Sequence, residues 1–237
     1  DIESLPKSIL FWRSSTHFIG GLGVIIFLLM VLPDSSAVKL RLTHLELSSL
    51  SKEGYRFRSG TTARVMVGVY CALTTCLFLL LWAAGMSPFD AVNHAFSTVS
   101  TGGFSTRNMS IMHYDSVIID IILTVFMILS SMHFGTLFAI AVKRSFKPLG
   151  NSVTRYYLSI IAVISIIIML SLKLQGGYES WGKALLDSTF QTASYISTTG
   201  FGQAERIYNA DTWGETVVLG GSYPNGASAV NPLTYIM

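Results

Sequence analysis

The chain has 237 residues, of which 51% are hydrophobic and 12% charged, about half the charged share of a soluble domain. Mean hydropathy is +0.53 and the net charge is +3. These values argue against an ordinary water-soluble domain, because a buried helical core of this size would find few polar residues to cover it.

The apolar residues are gathered into blocks. Ser14 to Pro33 is a run of 20 residues without Asp, Glu, Lys or Arg, Val65 to Phe89 of 25, Ile121 to Val142 of 22, and Tyr156 to Leu172 of 17. A helix needs about 20 apolar residues to cross a bilayer core about 30 Å thick, so each block is a candidate span. The expected helices are 9–33, 62–86, 115–143 and 153–174. No basic segment precedes the first block, so it does not read as a signal peptide. The start at Asp1 reads as a cut within a longer protein.

The first helix carries Gly20, Gly21 and Gly23, small residues that let helices approach closely, and Arg13 near its outer end. After it, between Asp34 and Arg64, come six basic residues (Lys39, Arg41, Lys52, Arg56, Arg58 and Arg64) against Asp34, Glu46 and Glu53. Between Lys143 and Arg155 lie four basic residues and no acid. The positive-inside rule places both loops in the cytoplasm. The four helices then run in, out, in and out. In the second helix Cys71 and Cys76 lie about 140° apart at 3.6 residues per turn, a spacing that fits neither a disulfide nor a CxxC site, so packing is their expected role. The five histidines show no metal-ligand pairing, and no Walker A loop or GxSxG elbow is present. Neither catalysis nor a transition-metal site is expected.

Between the second and third helices lies "SPFDAVNHAFSTVSTGGFS". Its Ser-Pro opening and Asp90 mark a helix start, so a short helix is expected from about Pro88 to Ser97, followed by an uncharged elbow. A second copy follows the fourth helix. Shifting the chain by 97 residues lays "FDAVNHAFSTVSTGGF" on "LDSTFQTASYISTTGF" with six of 16 positions identical: Asp90/Asp187, Ser97/Ser194, Ser100/Ser197, Thr101/Thr198, Gly103/Gly200 and Phe104/Phe201. A second short helix of about 15 residues should lead into this copy. Asp90 and Asp187 are expected near the positive N-terminal ends of the short helices, as capping residues. Asp120, in the third helix, is expected to pair near the interface like Arg13.

Non-helical backbone at membrane depth is tolerated where it is buried in protein or lines a water-filled cavity. There its carbonyls can replace an ion's hydration shell, and glycine lets them turn toward one axis. The lack of charge in the elbows favours such a lining over a site for a charged organic solute. An alternating-access transporter of another solute, or a non-conducting membrane scaffold, remain the other readings.

"SPFDAVNHAFSTVSTGGFS", "FQTASYISTTGF" and "LPKSILFWRSSTHFIGGLGVIIFLLMVLP" together resemble the TrkH branch of the Trk/Ktr/HKT potassium transporters, over roughly residues 1 to 212. The resemblance implies an all-α membrane protein of repeated helix–pore-loop–helix units, as in potassium channels, incomplete in this sequence. Residues 1–33 would be the inner helix ending the first unit, and 34–61 a cytoplasmic linker. Residues 62–143 would be a complete second pore unit, 144–152 a cytoplasmic loop, 153–212 the outer helix and pore loop of the third unit, and 213–237 an atypical tail. It also implies Gly103 and Gly200 as filter glycines. Val99, Ser100, Thr101 and Gly102, and likewise Ile196, Ser197, Thr198 and Thr199, would supply neighbouring carbonyls to potassium, the transported substrate. No covalent cofactor is expected. The implied partners are a second copy in a homodimer, a cytosolic nucleotide-binding regulatory subunit of the TrkA type, and the lipid bilayer of the cell's inner membrane, which the chain would cross several times; no nucleic acid is expected.

Overall fold

The computed structural model describes residues 2–31, 59–132, 136, 137, 140, 147–174, 178 and 180–202. Among these, six α-helices of given bounds follow one another: α1 Lys7–Val31, α2 Ser59–Ala83, α3 Pro88–Val99, α4 Val117–Ser131, α5 Ser152–Leu174 and α6 Trp181–Ile196; Thr136, Leu137 and Ile140 are helical as well, so helix resumes beyond the break at Met132. Two 3-10 turns, Ser110–Tyr114 and Lys147–Gly150, precede α4 and α5. The described structure is helical, as the apolar runs predict. The tail after Gly202, the linker at 34–58 and most of 133–146 lie outside the described residues.

Three of the four long helices fall within three residues of their expected bounds. The third does not. In place of one helix over 115–143, a 3-10 turn ends at Tyr114, Asp115 takes the left-handed conformation (φ 41°), and α4 runs for 15 residues to Ser131. Aspartate is among the few non-glycine residues that visit this region readily, so it can reset the chain direction just before α4. At the other end Met132 is extended (φ −63°, ψ 150°). The Ser131 hydroxyl bonds back to the Met127 carbonyl at 2.9 Å and meets the Tyr157 hydroxyl of α5 at 2.5 Å, which offers the backbone an alternative to the helix ladder. At 1.5 Å per residue α4 is about 22 Å long, short of a full span.

The helices are packed with polarity opposite to that of a soluble domain. Asp90, Asn93, His94, Ser97, Thr98, Ser188, Gln191, Thr192 and Ser194 are buried. Trp12, Ile19, Phe27, Trp82, Val117, Ile118, Tyr156, Val163 and Ile167 are exposed. Exposed apolar surface of this extent marks a lipid or protein contact. Arg64–Ala83 and Ser152–Leu174 are long and apolar enough to cross a membrane, and Val117–Ser131 is a shorter apolar helix.

The packing repeats. Each short helix lies against the long helix before it, α3 on α2 and α6 on α5. Each also lies against the helix of the preceding segment, α3 on α1 and α6 on α4. A core of Leu77, Leu81, Ala91, Ala95, Ile111, Leu123, Met127, Phe190, Ala193 and Phe201 joins the two halves. The repeat read from the two elbows therefore extends to the helices that carry them.

Candidate functional site: two paired elbows

Both short helices end at corresponding residues, Val99 and Ile196, and leave by the same route. The Thr101 N–H donates to the Thr98 carbonyl (3.0 Å) and the Gly102 N–H to the Ser97 carbonyl (2.7 Å). In the second copy Thr198 donates to Tyr195 (3.0 Å) and Thr199 to Ser194 (3.0 Å). This pair of bonds is the Schellman helix end, whose left-handed residue is usually glycine. Here it is threonine in both copies, with φ 53° at Thr101 and 60° at Thr198. A β-branched residue at positive φ is an outlier, and its recurrence at matched positions is the signal that sequence reading missed. Two residues on, Gly103 (φ 67°) and Gly200 (φ 84°) are left-handed as well. Left-handed and ordinary residues thus alternate, whereas glycine alone predicts a turn at Gly102. Gly102 is constrained by space instead: a Cβ there would lie 1.8 Å from the His17 Nδ1 atom.

Side chains fix each elbow to its own helix. The Phe104 N–H donates to the Ser97 hydroxyl at 2.5 Å. The corresponding Ser194 hydroxyl donates to the Phe201 carbonyl at 2.8 Å. Ser197 and Thr199 join hydroxyls at 2.7 Å. Among the described residues, no hydrogen bond is donated to the carbonyls of residues 99–103 or 196–200. The C-terminal, negative ends of the two helix dipoles add to that unneutralised oxygen.

The two elbows touch. A Cβ built on Gly103 would lie 1.8 Å from the Thr199 carbonyl oxygen and 3.1 Å from the Gly200 carbonyl carbon. The ten candidate residues therefore form one place in the fold, with Gly103 at the contact.

Behind the first elbow lies a polar brace. Ser87 caps α3 by accepting the Asp90 N–H at 3.1 Å, and its hydroxyl donates to Asp90 Oδ2 at 2.9 Å. Thr106 donates to Asp90 Oδ1 at 2.6 Å, and Arg107 pairs with Oδ2 at 3.1 Å. Burial pushes the Asp90 carboxyl up, but the bonds from Thr106, Ser87 and Arg107, with the Arg107 charge, outweigh it and hold the group below the ordinary carboxylate value. A depressed folded-state pKa stabilises fully above the unfolded value and loses that contribution as pH falls through the folded one. Asp90→Asn should lower stability in detergent by about 1–3 kcal/mol at pH 7, and the gap to the unaltered protein should close as pH falls below about 4. Thermal unfolding of both proteins across that range checks this. A gap of constant size would show that the charge of Asp90 contributes nothing.

Asp90 lies in the first turn of α3 as expected, although Ser87 and not Asp90 is the cap; Asp187 does not lie near a helix start. α6 begins at Trp181, earlier relative to the repeat than α3 does, so Asp187 sits well inside the helix and accepts from the Tyr178 hydroxyl at 2.9 Å. Asp120 is buried in the first turn of α4. Arg13 reaches the first elbow: it donates to the Ser105 carbonyl, and its guanidinium lies 4.6 Å from the Phe104 ring centroid. His17 stacks on the same ring, 3.9 Å between centroids. At the positions 97 residues later, the Ser110 hydroxyl accepts the Gly202 N–H at 3.3 Å, so the segment before each unit touches the exit of that unit's elbow. Of the three glycines in α1, Gly21 is at a close approach, where a Cβ would meet the Tyr70 hydroxyl at 2.7 Å, while Gly20 and Gly23 face open space. Cys71 and Cys76 are free and exposed, not packed in the core.

Comparison with known proteins adds a family. A model described as "Cation transport protein", TrkH, matches residues 1–206. The Trk system potassium uptake protein TrkH of Salmonella typhimurium is 33% identical over 202 residues, which cover 84% of this chain and 42% of that protein. The Trk system potassium uptake protein TrkG of Escherichia coli is 31% identical over 203 residues, 84% of this chain and 41% of that protein. The crystal structure of the potassium transporter TrkH from Vibrio parahaemolyticus superposes with a TM-score of 0.68 at 32% identity, covering 84% of this chain and 40% of that one. The chain therefore spans 40–42% of the length of these three relatives. They are transporters and not enzymes, the match runs over most of the sequence, and the chain belongs to the TrkH family of cation transport proteins.

Proposed function

We propose that the chain forms part of a channel-like potassium uptake protein whose conduction path is lined by the carbonyls of Val99, Ser100, Thr101, Gly102 and Gly103 and of Ile196, Ser197, Thr198, Thr199 and Gly200. The observation that carries this is the meeting of two uncharged elbows with the same alternating left-handed backbone at Gly103 and Thr199. Carbonyls to which no described residue donates can stand in for the hydration shell of a monovalent cation. The relatives' names, potassium uptake proteins, make potassium the substrate of choice over sodium. The repeat and the 42% coverage support further units around the same axis in the full-length protein. An inside-negative potential would drive entry, at about 2.3 kcal/mol per charge per 100 mV.

The same reading includes several passes through the inner membrane, with the basic loops at 34–64 and 143–155 in the cytoplasm. It includes a homodimer and a cytosolic nucleotide-binding subunit of the TrkA type; the word "system" in the relatives' names supports more than one component. No covalent cofactor and no transition metal enters the mechanism.

The test is tracer uptake into liposomes holding the full-length protein that carries this chain. Rubidium uptake suppressed by excess K⁺, and several-fold less by excess Na⁺, is the expected result. Equal suppression by both ions, or uptake no greater than in empty liposomes, would overturn the reading.

A further inference from the structure

His94 lies fully buried in the middle of α3, and the proposed conduction path makes no direct use of it. Its Nδ1 atom is 2.8 Å from the Asp90 carbonyl oxygen. Its Nε2 atom is 2.9 Å from the hydroxyl of Ser105, at the exit of the first elbow. The ring also packs 5.8 Å from Phe201 of the second elbow and edge-on to Tyr114 at 5.6 Å. One side chain therefore touches its own helix, the exit of one elbow and the aromatic residue of the other.

The partners fix the direction of every bond. A backbone carbonyl only accepts, so Nδ1 carries the proton and donates to Asp90. Nε2 is then an acceptor, and the Ser105 hydroxyl donates to it. That leaves the Ser105 oxygen to accept, which it does from the Arg107 N–H at 3.0 Å. The chain Arg107 N–H to Ser105 to His94 to Asp90 is satisfied at each link by neutral imidazole in one tautomer. The repeat shows what else can stand here: 97 residues later the position is Gln191, also buried, and a glutamine carries both a donor and an acceptor on one amide.

We infer that His94 is a positioning residue for ion discrimination, which holds the Ser105 exit of the first elbow in register with Phe201 of the second through a single neutral tautomer. The inference rests on the elbows lining the conduction path. It assigns His94 no contact with the ion. A buried, fully satisfied hydrogen-bond network specifies one arrangement, and a filter needs one arrangement to distinguish ions of similar size. If the link is cut, the elbow keeps its Schellman end, its Asp90 brace and the contact at Gly103, but its Ser105 exit is no longer tied through His94 to Phe201.

The experiment compares K⁺ against Na⁺ suppression of rubidium uptake by the full-length protein carrying His94→Leu, His94→Gln, Ser105→Ala, or His94→Leu with Ser105→Ala, each scored per molecule inserted. His94→Leu should lower the discrimination ratio at least tenfold, and Ser105→Ala several-fold. The double variant should be no worse than His94→Leu alone, because both cut the same link. His94→Gln should stay within twofold of the unaltered protein. Ratios within twofold of the unaltered value in both His94→Leu and Ser105→Ala would overturn the inference. So would a His94→Gln variant as impaired as His94→Leu, since the link would then not be a hydrogen bond. Should His94→Leu fail to insert, Ser105→Ala decides alone: a several-fold fall supports the tie and an unchanged ratio refutes it. If the unaltered protein itself shows no discrimination, it is the proposed function that fails, and this inference falls with it.

Discussion

Gly103→Ala should abolish ion discrimination, and Gly200→Ala should only weaken it. Both glycines sit at positive φ, where an L-residue costs about 1–2 kcal/mol. At Gly200 that is the whole cost among the described residues, because an added Cβ meets nothing there within 4 Å. A penalty of this size allows a change of about five- to thirtyfold, 1.4 kcal/mol being one factor of ten. At Gly103 the same strain is joined by an overlap, since the Cβ would stand 1.8 Å from the Thr199 carbonyl oxygen. No rotamer relieves a Cβ clash with backbone, so one elbow must move by about 1 Å or more to restore ordinary contact. The carbonyls of residues 199 and 200 move with it. Discrimination between K⁺ and Na⁺ in reconstituted full-length protein should fall to near unity for Gly103→Ala and remain measurable for Gly200→Ala. Equal losses in the two variants would show that the contact between elbows is unimportant. No loss in either would remove both glycines from the conduction path.

The second large effect concerns the 237-residue chain by itself. Liposomes holding only this chain should carry no K⁺-selective rubidium uptake, while the full-length protein at equal insertion does. The described residues supply two elbows, with α1 and α4 each packed on the short helix that follows. Two facing loops leave the opposite side of any axis to lipid, and an ion stripped of water there would face hydrocarbon at a cost of many kcal/mol. Selective uptake through this chain alone would mean that copies associate to close a path. The proposal of further units in one polypeptide would then be withdrawn.

Much of this was legible in the sequence because hydropathy and repetition are local signals. Charge-free runs located the long helices, and Ser87 with Pro88 marked the start of α3, which the cap bond to Asp90 accounts for. The 97-residue shift found both elbows because backbone turns constrain which residues can occupy them. Four things were not legible, because each depends on bonds or contacts that no local pattern reports. The third helix stops at Ser131 where the serine hydroxyl finds Tyr157 of α5, 26 residues away, and nothing near Ser131 in the chain reports that partner. The left-handed conformation falls on Thr101 and Thr198, against local preference, because the helix-end bonds impose it. Gly102 is expected only to supply a carbonyl, yet its small size makes room for the His17 ring. His94 offered no motif, since its partners are a main-chain oxygen and a serine 11 residues on.

The contact between Gly103 and Thr199 also sets a timetable for biosynthesis. The ribosome adds about 5–20 residues per second, so Thr199 leaves it roughly 5–20 s after Gly103. Throughout that interval the first elbow is in or near the bilayer without the surface it will rest on. The brace of Ser87, Asp90, Thr106 and Arg107 draws only on residues 87–107, all of them synthesised by then. It can hold the nascent loop in shape while the second copy is still being made.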